Sequence, residues 1–270
     1  MIQQQSIGLK NVGNARELGG YPIGDRRIRR GLLLRSARLS GATDEDIQIL
    51  SDTYRLGAVA DLRMTVEQEE HPDRPIPGAV HYSLPVMEFV EEGLSPDMEA
   101  FIDPNTDRVA WIQNAVDFGF FNDRFYIDFL RPEMGRSTWR KFFQILLDLP
   151  DDRAILWHCT DGKDRTGVAA MLLLSALGAD RDLILRDYLL TNSFNADKLE
   201  AGRRALSSIP LSQERREIYL FSTAGGVFAR FLENAMADLE SAYGSIEGYL
   251  SAELGIGPGE RDILRRKYLE

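Results

Sequence analysis

Apolar positions along this 270-residue chain follow two patterns: short continuous runs, and longer stretches in which they recur every third or fourth residue. The clearest run, Ala154-Ile155-Leu156-Trp157, predicts a strand buried on both faces. Ala58-Val59-Ala60, leading into Asp61-Leu62-Arg63, and Val80 to Pro85 predict two more short strands. Asn14 to Arg35, with Gly19, Gly20, Gly24, Gly31 and Pro22, reads as a small hairpin or edge strands turning at Gly24-Asp25. Thr43 and Asp46 have capping-box spacing before an amphipathic helix marked by Ile47, Leu50, Tyr54 and Leu56, which Gly57 is expected to end.

Helical periodicity dominates the second half. Phe120 to Leu130 and Trp139 to Leu149 are helical by pattern, the latter with Trp139, Phe142, Phe143, Leu146 and Leu147 on one broad face. Pro150-Asp151-Asp152 turns the chain into the strand at 154, and Val168 to Leu174 is apolar enough for a buried helix starting near Arg165. Further helices are expected over Leu183 to Leu190, Asn195 to Ser207, Ser212 to Ile218 and Gly225 to Tyr243, with short ones at Tyr249-Leu250 and Ile263 to Leu269. Strands alternating with helices predict one α/β domain. From Glu88 to Gly119 the pattern breaks down, with acidic residues beside Phe89, Leu94, Met98, Phe101 and Trp111. That stretch reads as an insertion that covers something.

The chemistry is concentrated between the strand at 154 and the helix at 168, in His158-Cys159-Thr160-Asp161-Gly162-Lys163-Asp164-Arg165-Thr166-Gly167. A loop at a strand-to-helix junction aims its backbone N–H groups and the positive helix end at one point, which suits a phosphate dianion. Cys159, the chain's only cysteine, would lie at the mouth of that cradle, where Arg165 and Lys163 favour thiolate over thiol. Arg165 has the planar fork to hold two phosphate oxygens, and Thr166 could hydrogen-bond the sulfur. Asp61 and Arg63, at the carboxyl end of a predicted strand, face the same crevice or form a structural pair.

His158-Cys159, five residues and then Arg165 resembles the signature of the cysteine-dependent phosphatases, the protein tyrosine phosphatase superfamily, in its bacterial tyrosine/lipid branch. The resemblance extends to Asn14-Ala15-Arg16-Glu17-Leu18-Gly19-Gly20, Arg30 to Ser36, Asp61-Leu62-Arg63, Asp187 to Asn192 and Tyr243 to Leu250. It implies a single phosphatase domain over 1–270, a central mostly parallel sheet flanked by helices, and a helical lid in the 85–140 insertion. It implies hydrolysis of phosphomonoesters through a cysteinyl-phosphate, with phosphotyrosine first and phosphoserine, phosphothreonine and phosphoinositides as further candidates. Thr160 to Arg165 would bind the phosphate, with His158, Thr166, Arg63 and Arg16 in support. The resemblance also implies that Asp164 takes part in acid/base catalysis, and Asp61 is the alternative acid. Asp161 departs from the branch and is expected to point outward. Lys163 is expected at the rim, suited to a second substrate phosphate, and Tyr188 behind the loop. Two other readings, a phosphate-binding pseudophosphatase and a sulfur-transfer or arsenate-reducing enzyme, fit less well. Cys159 and Arg165 are both intact, and there is no resolving cysteine.

Composition narrows the partners. A net charge of −10 and a pI near 5.0 oppose general binding to nucleic acid or anionic membrane, so phosphate attraction has to be local. Arg26, Arg27, Arg29 and Arg30 crowd the hairpin, either as a solvated face or as a pocket rim. Three histidines without ligand-like spacing make no case for a metal, and no cofactor is expected. Met1 to Lys10 has no cationic segment leading into an apolar run, and no run is long enough for stable membrane insertion. The expected location is therefore the cytoplasm, with export by a signal-free route left open.

Overall fold

The computed structural model describes residues 5–88, 122 and 124–270. The N-terminal region supplies β1 (Arg16–Glu17), a hairpin of β2 (Pro22–Ile23) and β3 (Arg26–Arg27), and β4 (Leu33–Ser36). The hairpin turns at Gly24, which takes φ +60°, as its sequence anticipates. Its arginines grip the last residues of the chain: Arg26 and Arg29 donate to the Leu269 carbonyl and Arg29 also to that of Arg266. Arg30 pairs with Glu17.

α1 (Asp44–Gln48) opens with the Thr43/Asp46 capping box and runs into a wide helical turn over Ile49–Thr53. Gly57 does not end this helix. Arg55, at φ +48°, reverses the chain, and Gly57 already lies in β5 (Leu56–Asp61). Gly57 is there for space, since a Cβ would stand 2.9 Å from that of Arg153. α2 (Thr65–Glu70) and β6 (Val80–Ser83) follow.

The predicted lid helices of 89–121 lie outside the described residues. The part of that insertion described beyond it, α3 (Ile127–Leu130) and the start of α4 (Glu133–Asp148), belongs to the main core, with Tyr126, Phe129, Leu130 and Trp139 all buried. β7 (Ala154–His158) then leads into α5 (Asp164–Leu177). The helical layer is completed by α6 (Arg181–Phe194), α7 (Ala196–Ala205), α8 (Gln213–Thr223), α9 (Ala229–Tyr243), α10 (Ile246–Leu254) and α11 (Pro258–Tyr268).

The five-stranded sheet runs β1-β4-β7-β5-β6, with β4, β7, β5 and β6 parallel and only β1 reversed. The expected mostly parallel sheet flanked by helices is thus observed. One face packs on α4, α5 and the C-terminal helices; the other closes over a smaller cluster of Ile7, Val12, Leu34, Leu39, Leu50, Leu56 and Leu156. β7 is the central strand, so its whole length is buried, as its unbroken apolar run requires. Its carboxyl end is flanked by those of β4 and β5, with Ser36 and Asp61 both in register with His158. This is where open parallel sheets place ligands. Among the described residues, no helix is long and apolar enough to cross a membrane.

Candidate active site

The loop from Cys159 to Lys163 is held from outside by its carbonyl groups. Asn14 Nδ2 donates to the carbonyl of Gly162 at 2.7 Å and to that of Asp161 at 3.4 Å. Arg35 Nη2 donates to Gly162 at 3.0 Å, and the Arg38 N–H to the Thr160 carbonyl at 3.2 Å. With its carbonyls turned outward, the loop directs its N–H groups toward the opposite side. Among the described residues, no N–H from Thr160 to Lys163 has a protein acceptor. Gly162 makes the turn possible: it sits at φ +66°, and a Cβ there would lie 2.4 Å from the Ser36 carbonyl. The first turn of the fourteen-residue α5 adds its own N–H groups and positive end.

The groups holding the loop are themselves fixed by a buried charge cluster. Asp187, on α6, lies 3.2 Å from Arg16 Nε, accepts from Arg35 Nη1, and accepts from Tyr21 Oη at 3.0 Å. Burial and the neighbouring Arg35 push Arg16 down to about 10, which leaves it charged at neutral pH. Burial works against the Asp187 carboxylate too, but the two arginines outweigh it and hold its pKa below the ordinary value. Arg16 also donates to Asn14 Oδ1. The cluster therefore orients both Asn14 and Arg35, the two side chains that hold Gly162.

Around the loop mouth, Arg165 forms a two-pronged pair with Glu67 of α2, whose Oε1 also accepts from the Thr160 hydroxyl. Burial works against the Arg165 cation, but Glu67, Cys159 and Asp164 outweigh it and keep it charged. Asp164 accepts a 2.6 Å hydrogen bond from Tyr126 Oη on Oδ1, and its Oδ2 lies 3.4 Å from Lys163 Nζ. Cys159 is buried at the mouth, 2% exposed, and Asp161 points outward as expected.

These features can be set beside known proteins. The sequence model described as "Tyrosine phosphatase family" matches residues 7–270. The chain belongs to that family. A tyrosine-protein phosphatase of Cupriavidus necator is 29% identical over 98% of this chain and 89% of its own length. The triple specificity protein phosphatase PtpB of Mycobacterium tuberculosis is 30% identical over 83% of this chain and 86% of its own. A tyrosine-protein phosphatase of Nostoc commune is 31% identical over a shorter part, 43% of this chain.

Several expected residues lie elsewhere than the sequence suggested. Lys163 is not at the rim. Its side chain is buried, with Nζ donating to the Phe221 carbonyl and lying 3.8 Å from the centre of the Phe221 ring. From the residue preceding α5 it points into the gap beside the end of α8, where the Phe221 and Gly226 carbonyls and an aromatic face accommodate an ammonium. Asp61 forms the structural pair: Arg63 holds both its oxygens, at 2.6 to 3.1 Å, and reaches Asp73 at 3.2 Å. His158 Nε2 lies 2.8 Å from Asp73 Oδ2. Burial opposes its charged form, but Asp73 outweighs that and raises its pKa. Asp61, Asp73 and His158 bring ligand-type atoms within 4.8 Å of one another, yet the Arg63 guanidinium already supplies the positive charge among them. The Thr166 hydroxyl is buried without a hydrogen-bond partner among the described residues. Tyr188, expected behind the loop, packs instead on the first turn of α5, its ring so close that a Cβ on Gly167 would stand 3.1 Å from it.

Glu67, Asp73 and Tyr126 were absent from the sequence reading. Only Glu67 left a usable trace, a carboxylate four residues beyond Arg63 in the polar and acidic stretch Thr65 to Glu70. Its ion pair yields a pH prediction. Burial would raise the Glu67 pKa, but Arg165 and the Thr160 hydroxyl bring it from 4.5 down to about 2. A depressed carboxylate stabilises the fold fully above its unfolded value and loses that contribution as pH falls toward 2. The shift corresponds to at most about 3 kcal/mol. Urea unfolding of wild type and Glu67→Gln between pH 2.5 and 7 should show the variant less stable at neutral pH and less sensitive to acid. Parallel curves would show that the pair contributes nothing.

Proposed function

We propose that this phosphatase works through Cys159, whose thiolate attacks phosphorus in line with the leaving oxygen to give a cysteinyl-phosphate that water then hydrolyses. The observation that carries this reading is the loop itself: a cysteine at the end of the central strand, N–H groups without acceptors among the described residues, and carbonyls drawn away by Asn14, Arg35 and Arg38. Those amides, with Arg165, stabilise charge as the phosphoryl oxygens spread in the transition state. No resident metal or cofactor is required by this chemistry.

Asp164 is the better candidate for the acid that protonates the leaving oxygen and later activates water. Both Asp61 oxygens are held by Arg63, whereas Asp164 is partly exposed beside Arg165. The favoured substrate is a phosphotyrosyl protein, since Cys159 is only 2% exposed and a long aryl phosphate reaches a buried sulfur more readily than a short alkyl one. Phosphoserine, phosphothreonine and phosphoinositides remain secondary substrates, and the buried Lys163 removes the specific reason for expecting a second phosphate to be bound there.

Rates on phosphotyrosyl peptide, phosphoseryl peptide and phosphatidylinositol phosphates, measured side by side in EDTA, test the assignment. The phosphotyrosyl peptide should be fastest and EDTA should have no effect. Asp164→Asn should slow substrates with poor leaving groups by about 10²-fold or more and good ones far less. An equal loss across leaving groups would remove Asp164 from the acid role.

A further inference from the structure

Tyr126 is wholly buried, and its single hydroxyl stands 2.6 Å from Asp164 Oδ1 and 2.7 Å from the hydroxyl of Tyr188. The proton inventory orders this chain. With Tyr126 donating its one proton to Oδ1, Tyr188 donates to the Tyr126 oxygen, and a protonated Asp164 carries its own proton on Oδ2. Neither ring is free to swing away. Tyr126 is stacked on Phe129, with centroids 5.8 Å apart, and flanked by Phe231 and the edge of Tyr188. Tyr188 lies against the first turn of α5 at Gly167, so the hydroxyl pair keeps a fixed position relative to the helix that carries Asp164.

We propose that Tyr126, backed by Tyr188, is a positioning residue for the general acid: by occupying Asp164 Oδ1 it confines the transferable proton to Oδ2. This rests on the reading of Asp164 as the acid. In the first step the S–P bond forms, the P–O bond breaks, and the Oδ2 proton passes to the leaving oxygen. The carboxylate that remains has Tyr126 donating to one oxygen and the Lys163 ammonium 3.4 Å from the other. In the second step water attacks phosphorus, returns a proton to Asp164 and releases the Cys159 thiolate with phosphate. Tyr126 does not supply the proton itself. Burial, and then the charge of Asp164, hold its phenol well above the ordinary range, and Tyr188 is raised for the same reasons.

The test compares Tyr126→Phe, Tyr188→Phe, Asp164→Asn and Tyr126→Phe/Asp164→Asn on aryl phosphates whose leaving groups range from dinitrophenol to phenol. Tyr126→Phe should lower kcat on phenyl phosphate by about 10- to 100-fold, as for loss of a hydrogen bond to a charged group, with KM unchanged. Its rate on dinitrophenyl phosphate should stay within about twofold of wild type, because that leaving group needs no proton. Tyr188→Phe should show the same pattern more weakly, and the double variant should be no slower than Asp164→Asn. If Asp164→Asn is sensitive to leaving group and Tyr126→Phe is not, the positioning role is wrong and the acid assignment stands. If Asp164→Asn is itself insensitive, both fall. A uniform loss in Tyr126→Phe, with a raised KM or a lowered Tm, would make the tyrosine merely structural.

Discussion

Cys159→Ser should abolish phosphate release from an aryl phosphate, with a loss of at least about 10⁴-fold, while oxyanion binding is retained. A serine hydroxyl is far less nucleophilic than a thiolate at neutral pH. Binding depends on different atoms. The loop N–H groups and Arg165 are held by Asn14, Arg35, Arg38 and Glu67, none of which contacts the sulfur through a hydrogen bond. Calorimetric titration with vanadate or tungstate should therefore give comparable affinity for wild type and variant. Iodoacetamide should inactivate the wild-type protein at a rate that vanadate suppresses. Full turnover by Cys159→Ser would end the thiol mechanism, and loss of both binding and turnover would assign the sulfur a structural role.

Asp187→Ala should be the most destabilising single substitution around the loop, costing about 3–5 kcal/mol. Asp187 is 1% exposed and lies between Arg16 and Arg35, both with no solvent exposure, so its removal leaves two buried cations without a counter-charge. Asp187→Asn keeps the shape and one acceptor but not the charge, and should fall between the two. Urea unfolding at pH 7 measures the loss. At low denaturant, where Asp187→Asn is still folded, its kcat should drop as well, because Arg35 and Asn14 hold the Gly162 carbonyl only while the cluster holds them. A cost below about 1 kcal/mol for Asp187→Ala would mean that the cluster opens to solvent and does not order the loop.

The tyrosine phosphatase assignment was legible because its signature is local. Cys159, Gly162 and Arg165 lie within seven consecutive residues, between an apolar run that can only be a buried strand and another that can only be a buried helix. Strand, loop and helix are then covalently adjacent, so spacing alone brings sulfur, amides and guanidinium close together. Arg16, Arg35 and Asp187 were legible for another reason, as charged residues inside family-like strings, although their mutual contact was not. The capping box at Thr43 and Asp46 and the hairpin turn at Gly24 are likewise encoded within a few residues and were read correctly.

What the order of residues determined by itself was the α/β architecture and the strand-loop-helix unit that carries the proposed nucleophile, since each depends on neighbours in the chain. Tertiary packing alone decided which groups complete the site. Tyr126 meets Asp164 across 38 positions and Glu67 meets Arg165 across 98, and a single aromatic or acidic residue has no period to betray its partner. Packing also turned Lys163 inward to the Phe221 carbonyl and gave Asp61 to Arg63. A charge near a crevice has several partners within reach of its side chain, and the one it takes is set by which carbonyls and carboxylates the fold brings nearby.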